Sequence, residues 1–160
     1  MSGTNFWFTY GLEYVGKNGL QGETLEVILC MTNTTAEVEG STGRDAPNVD
    51  DITLDEYDSG SPYVAGYGNR PTVQSFAIAV NEAGNELRFT GTVDTLDDLP
   101  AGSRNCKGML VSIKGPTDDS DSIPLWWHTE GGFPWTGTGY PKTIEVASDG
   151  LAKLAPVPTP

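Results

Sequence analysis

Few residues in this chain have types and spacing suited to chemistry. Its 160 residues include a single histidine, His128, and two cysteines, Cys30 and Cys106. A serine-type catalytic relay needs a histidine as its base. His128 stands in the run SIPLWWHTE, next to two tryptophans, where it reads as a structural side chain on a strand. No Gly-x-Ser-x-Gly elbow and no phosphate loop ending in Gly-Lys-Ser/Thr occurs. GGFPWTGTG is rich in glycine but follows a strand without opening a helix, so it does not read as a dinucleotide loop. Paired acids occur at Asp50-Asp51, Asp55-Glu56, Asp97-Asp98 and Asp118-Asp119. A glycosidase needs two carboxylates roughly 5–10 Å apart across a cleft, and a chain this acidic supplies adjacent pairs by chance. TDDSDSI offers closely spaced oxygens but lacks the central glycine and terminal glutamate of an EF-hand loop. The cysteines form no Cys-x-x-Cys motif for zinc or redox work. They read as buried free thiols that pack as small apolar groups. No catalytic residue, metal ligand or cofactor is expected, and the chain reads as non-enzymatic.

The aromatic residues carry more information. Trp126, Trp127, Phe133, Trp135 and Tyr140 fall within fifteen residues, and Phe6, Trp7, Phe8, Tyr10 and Tyr14 form a second group. Flat aromatic rings fill cores, anchor protein interfaces and stack on sugars. Strand alternation turns Trp127, with Ile123 and Leu125, toward the core, and turns Trp126 and His128 outward or toward a second layer. Trp135 lies in the Gly/Pro loop and is expected to be exposed. Core packing accounts for most of these rings. The partner-interface candidates are Phe6, Trp7, Phe8, Tyr10, Trp126, Phe133, Trp135 and Tyr140. A sugar platform of Trp126, Trp135 and Tyr140 is the competing use.

Charge limits the choice of partner. The net charge is −13, with sixteen acids and four bases in residues 1–100 but six acids and five bases in the last sixty. Nucleic-acid binding needs clustered cations to displace counterions from phosphates, and none are clustered here. Adhesion to an anionic membrane is disfavoured for the same reason. No run approaches the ~20 apolar residues of a membrane span, and the first sixteen residues do not read as a signal peptide.

The elements that must position these residues read as strands. Gly 20 and Pro 11, with an apolar fraction of 37%, favour many turns over long helices. Residues 5–16 read as a strand or a docking arm. LEVILCM is apolar on both sides, hence a well-buried strand. Residues 33–50 form a long polar loop of the kind that carries function or mobility. A short turn or helix is expected near 52–57 and a strand near 62–68. SFAIAVN and ELRFTGTV, around a Glu-Ala-Gly-Asn turn, predict a β-hairpin. Strands follow at 104–114 and 122–130, and TIEVA and LAKLA form a closing hairpin. No segment keeps helical periodicity over three turns. The sum is an all-β chain: one antiparallel β-sandwich or barrel-like domain of about eight short strands over 17–155. It carries an N-terminal aromatic arm or first strand at 1–16 and an extended Pro-rich tail at 156–160.

The order of phrases resembles a family of small virion structural proteins of tailed bacteriophages. The likeness runs through TLEVILCMTNTT, DDITLDEYDSGSPYVAGY, FAIAV…NELRFTGTVDTLDDLPAG, RNCKGMLVSIKG, DSIPLWWHTEGGFPWTGTG and TIEVASDGLAKLA, and covers nearly all of 10–155. The Gly-Phe-Pro-Trp phrase and the Pro-rich tail depart from the family pattern. The resemblance implies a head decoration or cement protein made in the host cytoplasm. It would bind the major capsid protein on the outside of the virion shell. Association into a homo-oligomer is implied, a trimer fitting the three-fold positions of such lattices. A host-recognition, tail or head-completion role on the same virion is the alternative.

Overall fold

The computed structural model describes residues 5–57, 63, 65–84, 86–93, 105–129 and 133–134, together with the backbone of 152–154. The order of elements is β1 (Phe6–Trp7), α1 (Thr9–Asn18), β2 (Leu25–Met31), a 3-10 turn (Val49–Asp51), β3 (Gln74–Asn81), β4 (Glu86–Thr92), β5 (Cys106–Ile113), β6 (Ile123–His128) and β7 (Ala152–Leu154). All strand pairings are antiparallel. One sheet has the order β1-β6-β5-β2 and the other β3-β4-β7. This is the all-β, sandwich-like architecture expected, and the two sheets do not close into a barrel. The TIEVA half of the closing hairpin and the Pro-rich tail lie outside the described residues.

β2 is buried at all seven positions, as its two-sided apolar pattern requires. Leu25, Val27, Leu29 and Met31 pack with Met109, Val111, Ile113, Trp126 and Phe89 between the sheets. On the other face Ile28 and Cys30 pack with Leu110, Trp127 and Phe8. That face is covered by the loop after β2. Its Ala36, Ala46, Val49 and Ile52 are buried against the sheet. The supposed free polar loop is therefore a third layer. Full burial of the larger two, Val49 and Ile52, contributes about 1.5–3 kcal/mol each, and backbone bonds such as Thr35 N to Thr53 O and Val49 N to Ser122 O, both at 2.9 Å, add to the hold on the loop.

Residues 5–18 do not project as an arm. Phe6 and Trp7 take the strand alternative, pairing with Trp127 and Trp126. The Phe8 amide donates to the Leu125 carbonyl at 2.8 Å, and the chain then enters α1, a helix the periodicity did not predict. Gly11 is the residue of α1 buried against β6. A Cβ added there would come within 2.8 Å of Leu125 Cα, so the helix approaches so closely because this residue is glycine.

Two further expectations are corrected. The 3-10 turn lies at Val49–Asp51, just before the expected 52–57. The expected strand at 62–68 is replaced, among the described residues, by bends and turns. Gly66 (φ 100°) and Gly68 (φ 86°) adopt the left-handed backbone that glycine favours and that breaks an extended run. The chain then runs along the edge of β2, where Val27 N donates to Pro71 O at 2.8 Å and Val73 N to Leu25 O at 2.9 Å. It turns at Ser75 (φ 52°) and continues as β3 of the second sheet.

Candidate functional site

The aromatic candidates divide by burial. Phe8 and Trp126 are fully buried, at 0% and 1% exposure, and cannot meet a partner at the surface. Of the two placements expected for Trp126 and His128, the outward one is excluded because both are buried, and Trp126 takes the other, packing between the two sheets. A register shift between Val111 and Ser112, opposite Leu125, also moves Leu125 and Trp126 into one cluster. Trp7 and Phe6 are half-buried. Trp7 meets Trp126 edge-on at 5.2 Å and Phe89 at 5.1 Å, an arrangement favoured by ring quadrupoles. Phe6 lies 5.2 Å from Phe8, with the Arg44 guanidinium 4.3 Å above its ring. Phe133 is half-buried against the core. Tyr10 is exposed at 45%, and Leu12 at 41% on the other flank of α1. Trp135 and Tyr140 lie outside the described residues.

The rings that looked like an interface therefore anchor the N-terminal segment. Asn5 Oδ1 accepts from the Thr129 amide at 2.9 Å, and Thr9 Oγ1 donates to Asp45 at 2.6 Å. Trp127 Nε1 donates to Glu37 Oε1 at 2.8 Å, and Glu37 also pairs with Lys107. Trp126 Nε1 has no hydrogen-bond partner among the described residues.

The densest charged cluster was not foreseen. The Arg70 side chain is 1% exposed. Its Nε and Nη2 donate to the two oxygens of Glu56, both at 2.9 Å. Nη1 and Nη2 donate to Asp119 at 2.6 and 2.8 Å, and Nη1 reaches Glu26 at 3.4 Å. Tyr63 donates to Glu56 at 2.6 Å and accepts from the Leu29 amide at 3.1 Å. One guanidinium thus joins β2, the segment after the covering loop and the β5–β6 turn. Burial opposes its charge, but the bonds from Asp119 and Glu56 outweigh this and hold its pKa above the ordinary value. Burial raises the pKa of Glu26, with Arg70 and Lys114 offsetting only part of the effect. Tyr63 is pushed well up by burial and by the Glu56 carboxylate. Fork-to-fork geometry of this kind is specific to arginine. The carboxylates converge on a guanidinium, which leaves no open centre between them.

Both cysteines are buried and free. Burial pushes the Cys106 thiol up to about 12 and the Cys30 thiol well above its usual value, the opposite of a reactive thiolate. Cys106 belongs to the cluster between the sheets and Cys30 to the cluster under the covering loop, so they occupy opposite faces of one sheet.

No family model matches the chain, and no curated protein or solved structure gives a significant match.

Among the described residues, few large apolar side chains are exposed. Tyr10 and Leu12 lie on α1 and Val38 on the covering loop. Ile78 (49%), Val80 (71%) and Leu87 (40%) lie on the β3–β4 hairpin. The hairpin residues were legible as alternating strand positions, but their exposure was not, because alternation does not tell a core-facing stripe from a bare one.

Proposed function

We propose that the chain is a non-enzymatic structural protein of a tailed-phage virion, acting as a decoration or cement protein on the outer face of the major capsid protein lattice. The observation that carries the reading is the Arg70 cluster. The most concentrated charges of the described residues gather on one buried guanidinium, which joins three segments into one scaffold. Such a cluster serves rigidity, as a cement protein requires. A ligand that binds only the assembled shell stabilises it by mass action, and this role needs a stiff body with a docking patch. The ordered phrases of the sequence support the same reading, and the net charge of −13 suits an outward-facing, soluble surface.

The docking patch is assigned to Tyr10 of α1 and, on the sequence, to the 131–140 loop with Trp135 and Tyr140. The buried Phe8 and Trp126 are removed from the sequence-based set. A sugar platform loses support because one of its three rings, Trp126, is 1% exposed. The test is occupancy on particles lacking the protein. Purified chain added back should appear by electron cryomicroscopy at regular lattice positions, and Tyr10→Ala with Trp135→Ala should reduce that occupancy. Density confined to one vertex or the tail would shift the role to head completion or host recognition.

A further inference from the structure

Strand edges expose unpaired backbone donors and acceptors, and stable proteins protect them. Three of the four edges here are short or covered. β1 has two residues and β7 three. The β2 edge is met by bridges Glu26↔Thr72 and Cys30↔Glu56. The fourth edge, β3, is eight residues long and pairs only with β4 among the described strands. Its one irregularity lies at its start, between Gln74 and Ala77, and among the described residues no charge, proline or covering strand protects the rest. Residues 71–81 contain no ionisable side chain, in a chain of net charge −13, and no proline occurs within β3. Ile78 and Val80 are exposed on one face of β3, and Ala77 and Ala79 on the other.

We propose that β3 is a self-association edge, pairing antiparallel with β3 of a second copy about a two-fold axis at Ile78. The sequence of the strand favours this occupant. Antiparallel pairing centred on Ile78 sets Ile78 against its own copy and Val80 against Phe76. It sets Ala79 against Ala77, and the regular pairing ends near the irregularity at Gln74–Ala77. Apolar side chains meet apolar ones on one face and alanines meet on the other. Cross-strand pairs of this kind are the unit of sheet stability, and a self-complementary patch is what two-fold symmetry demands. Two chains that otherwise repel each other can meet here without opposing like charges. The joined sheet has the order β7-β4-β3-β3-β4-β7. The pairing concerns the purified chain and is independent of the virion role.

Sedimentation or light scattering over a concentration series tests it with the full-length chain. The unaltered protein should pass from monomer to dimer as concentration rises. Ile78→Lys places two cations face to face on the axis, and Ile78→Glu two anions. Each should weaken dimerisation by at least about tenfold, and mixing the two should restore a heterodimer. Circular dichroism checks that both variants fold. If Ile78→Lys does not, Val80→Lys, at the most exposed position of the strand, should weaken dimerisation in its place. A parent chain that stays monomeric throughout overturns the proposal in favour of a strand supplied by another protein. Dimers that survive the substitutions, or charge-swapped chains that fail to combine, overturn the assigned edge.

Discussion

Replacing Arg70 by methionine removes the guanidinium but keeps an unbranched stem that ends about where Nε lies. Four donor contacts at 2.6–2.9 Å and one at 3.4 Å disappear. Three carboxylates remain, with side-chain exposures of 1% for Glu26, 11% for Glu56 and 21% for Asp119. Breaking a buried ion pair by removing one partner costs about 3–5 kcal/mol, because the other charge is left uncompensated. Two bidentate pairs are lost here, so the upper end of that range applies. With a slope of about 2 kcal/mol per molar urea, the midpoint should fall by about 2 M. Urea titration followed by tryptophan fluorescence reads this directly. The deficit should also depend on pH. Without Arg70 the crowded carboxylates hold protons more tightly in the folded chain than in the unfolded one. The variant therefore regains stability as pH falls, and the gap to the parent should narrow by about pH 5. Arg70→Lys keeps the charge but not the fork, and should lie between the two. A loss below about 1 kcal/mol for Arg70→Met, or one equal at neutral and acid pH, would refute the view of the cluster as a buried staple.

Three further outcomes follow from the same geometry. Glu26 has a raised pKa in the fold, so its contribution is full below the unfolded value of 4.5 and is lost as pH rises toward the folded value. Glu26→Gln should therefore be at least as stable as the parent at neutral pH, with the difference vanishing in acid, as thermal melts across pH will show. Gly11→Ala should cost about 1–3 kcal/mol by overpacking α1 against β6, seen as an earlier urea midpoint, whereas Gly16→Ala, where an added Cβ meets nothing within 4 Å, should be neutral or stabilising. Trp127→Phe breaks the 2.8 Å bond to Glu37, but Trp126→Phe removes a buried donor that has no partner. The first should destabilise more than the second in parallel denaturation curves.

The strands were legible where pattern and burial agree. LEVILCM is apolar on both sides and is buried on both, and the hairpin expected from SFAIAVN and ELRFTGTV forms at Gln74–Asn81 and Glu86–Thr92. The helix was not legible. Its ten residues, TYGLEYVGKN, include two glycines and several poor helix formers, and it is held by contact with β6 through Gly11. The Arg70 cluster was hidden for another reason. Glu26, Glu56, Arg70 and Asp119 are scattered along the chain, and no local spacing announces that they converge. The aromatic candidates were misassigned in part because the covering loop gives β6 two buried faces, so alternation no longer separates inside from outside.

Around Ser75 one run of chain passes from the edge of β2 into the second sheet. A pull along the hairpin is carried through the backbone into residues 71–73, whose hydrogen bonds to Leu25 and Val27 fasten them along the edge of the central strand β2. Force applied at the hairpin tip therefore has a covalent route to the edge of the best-buried strand of the molecule.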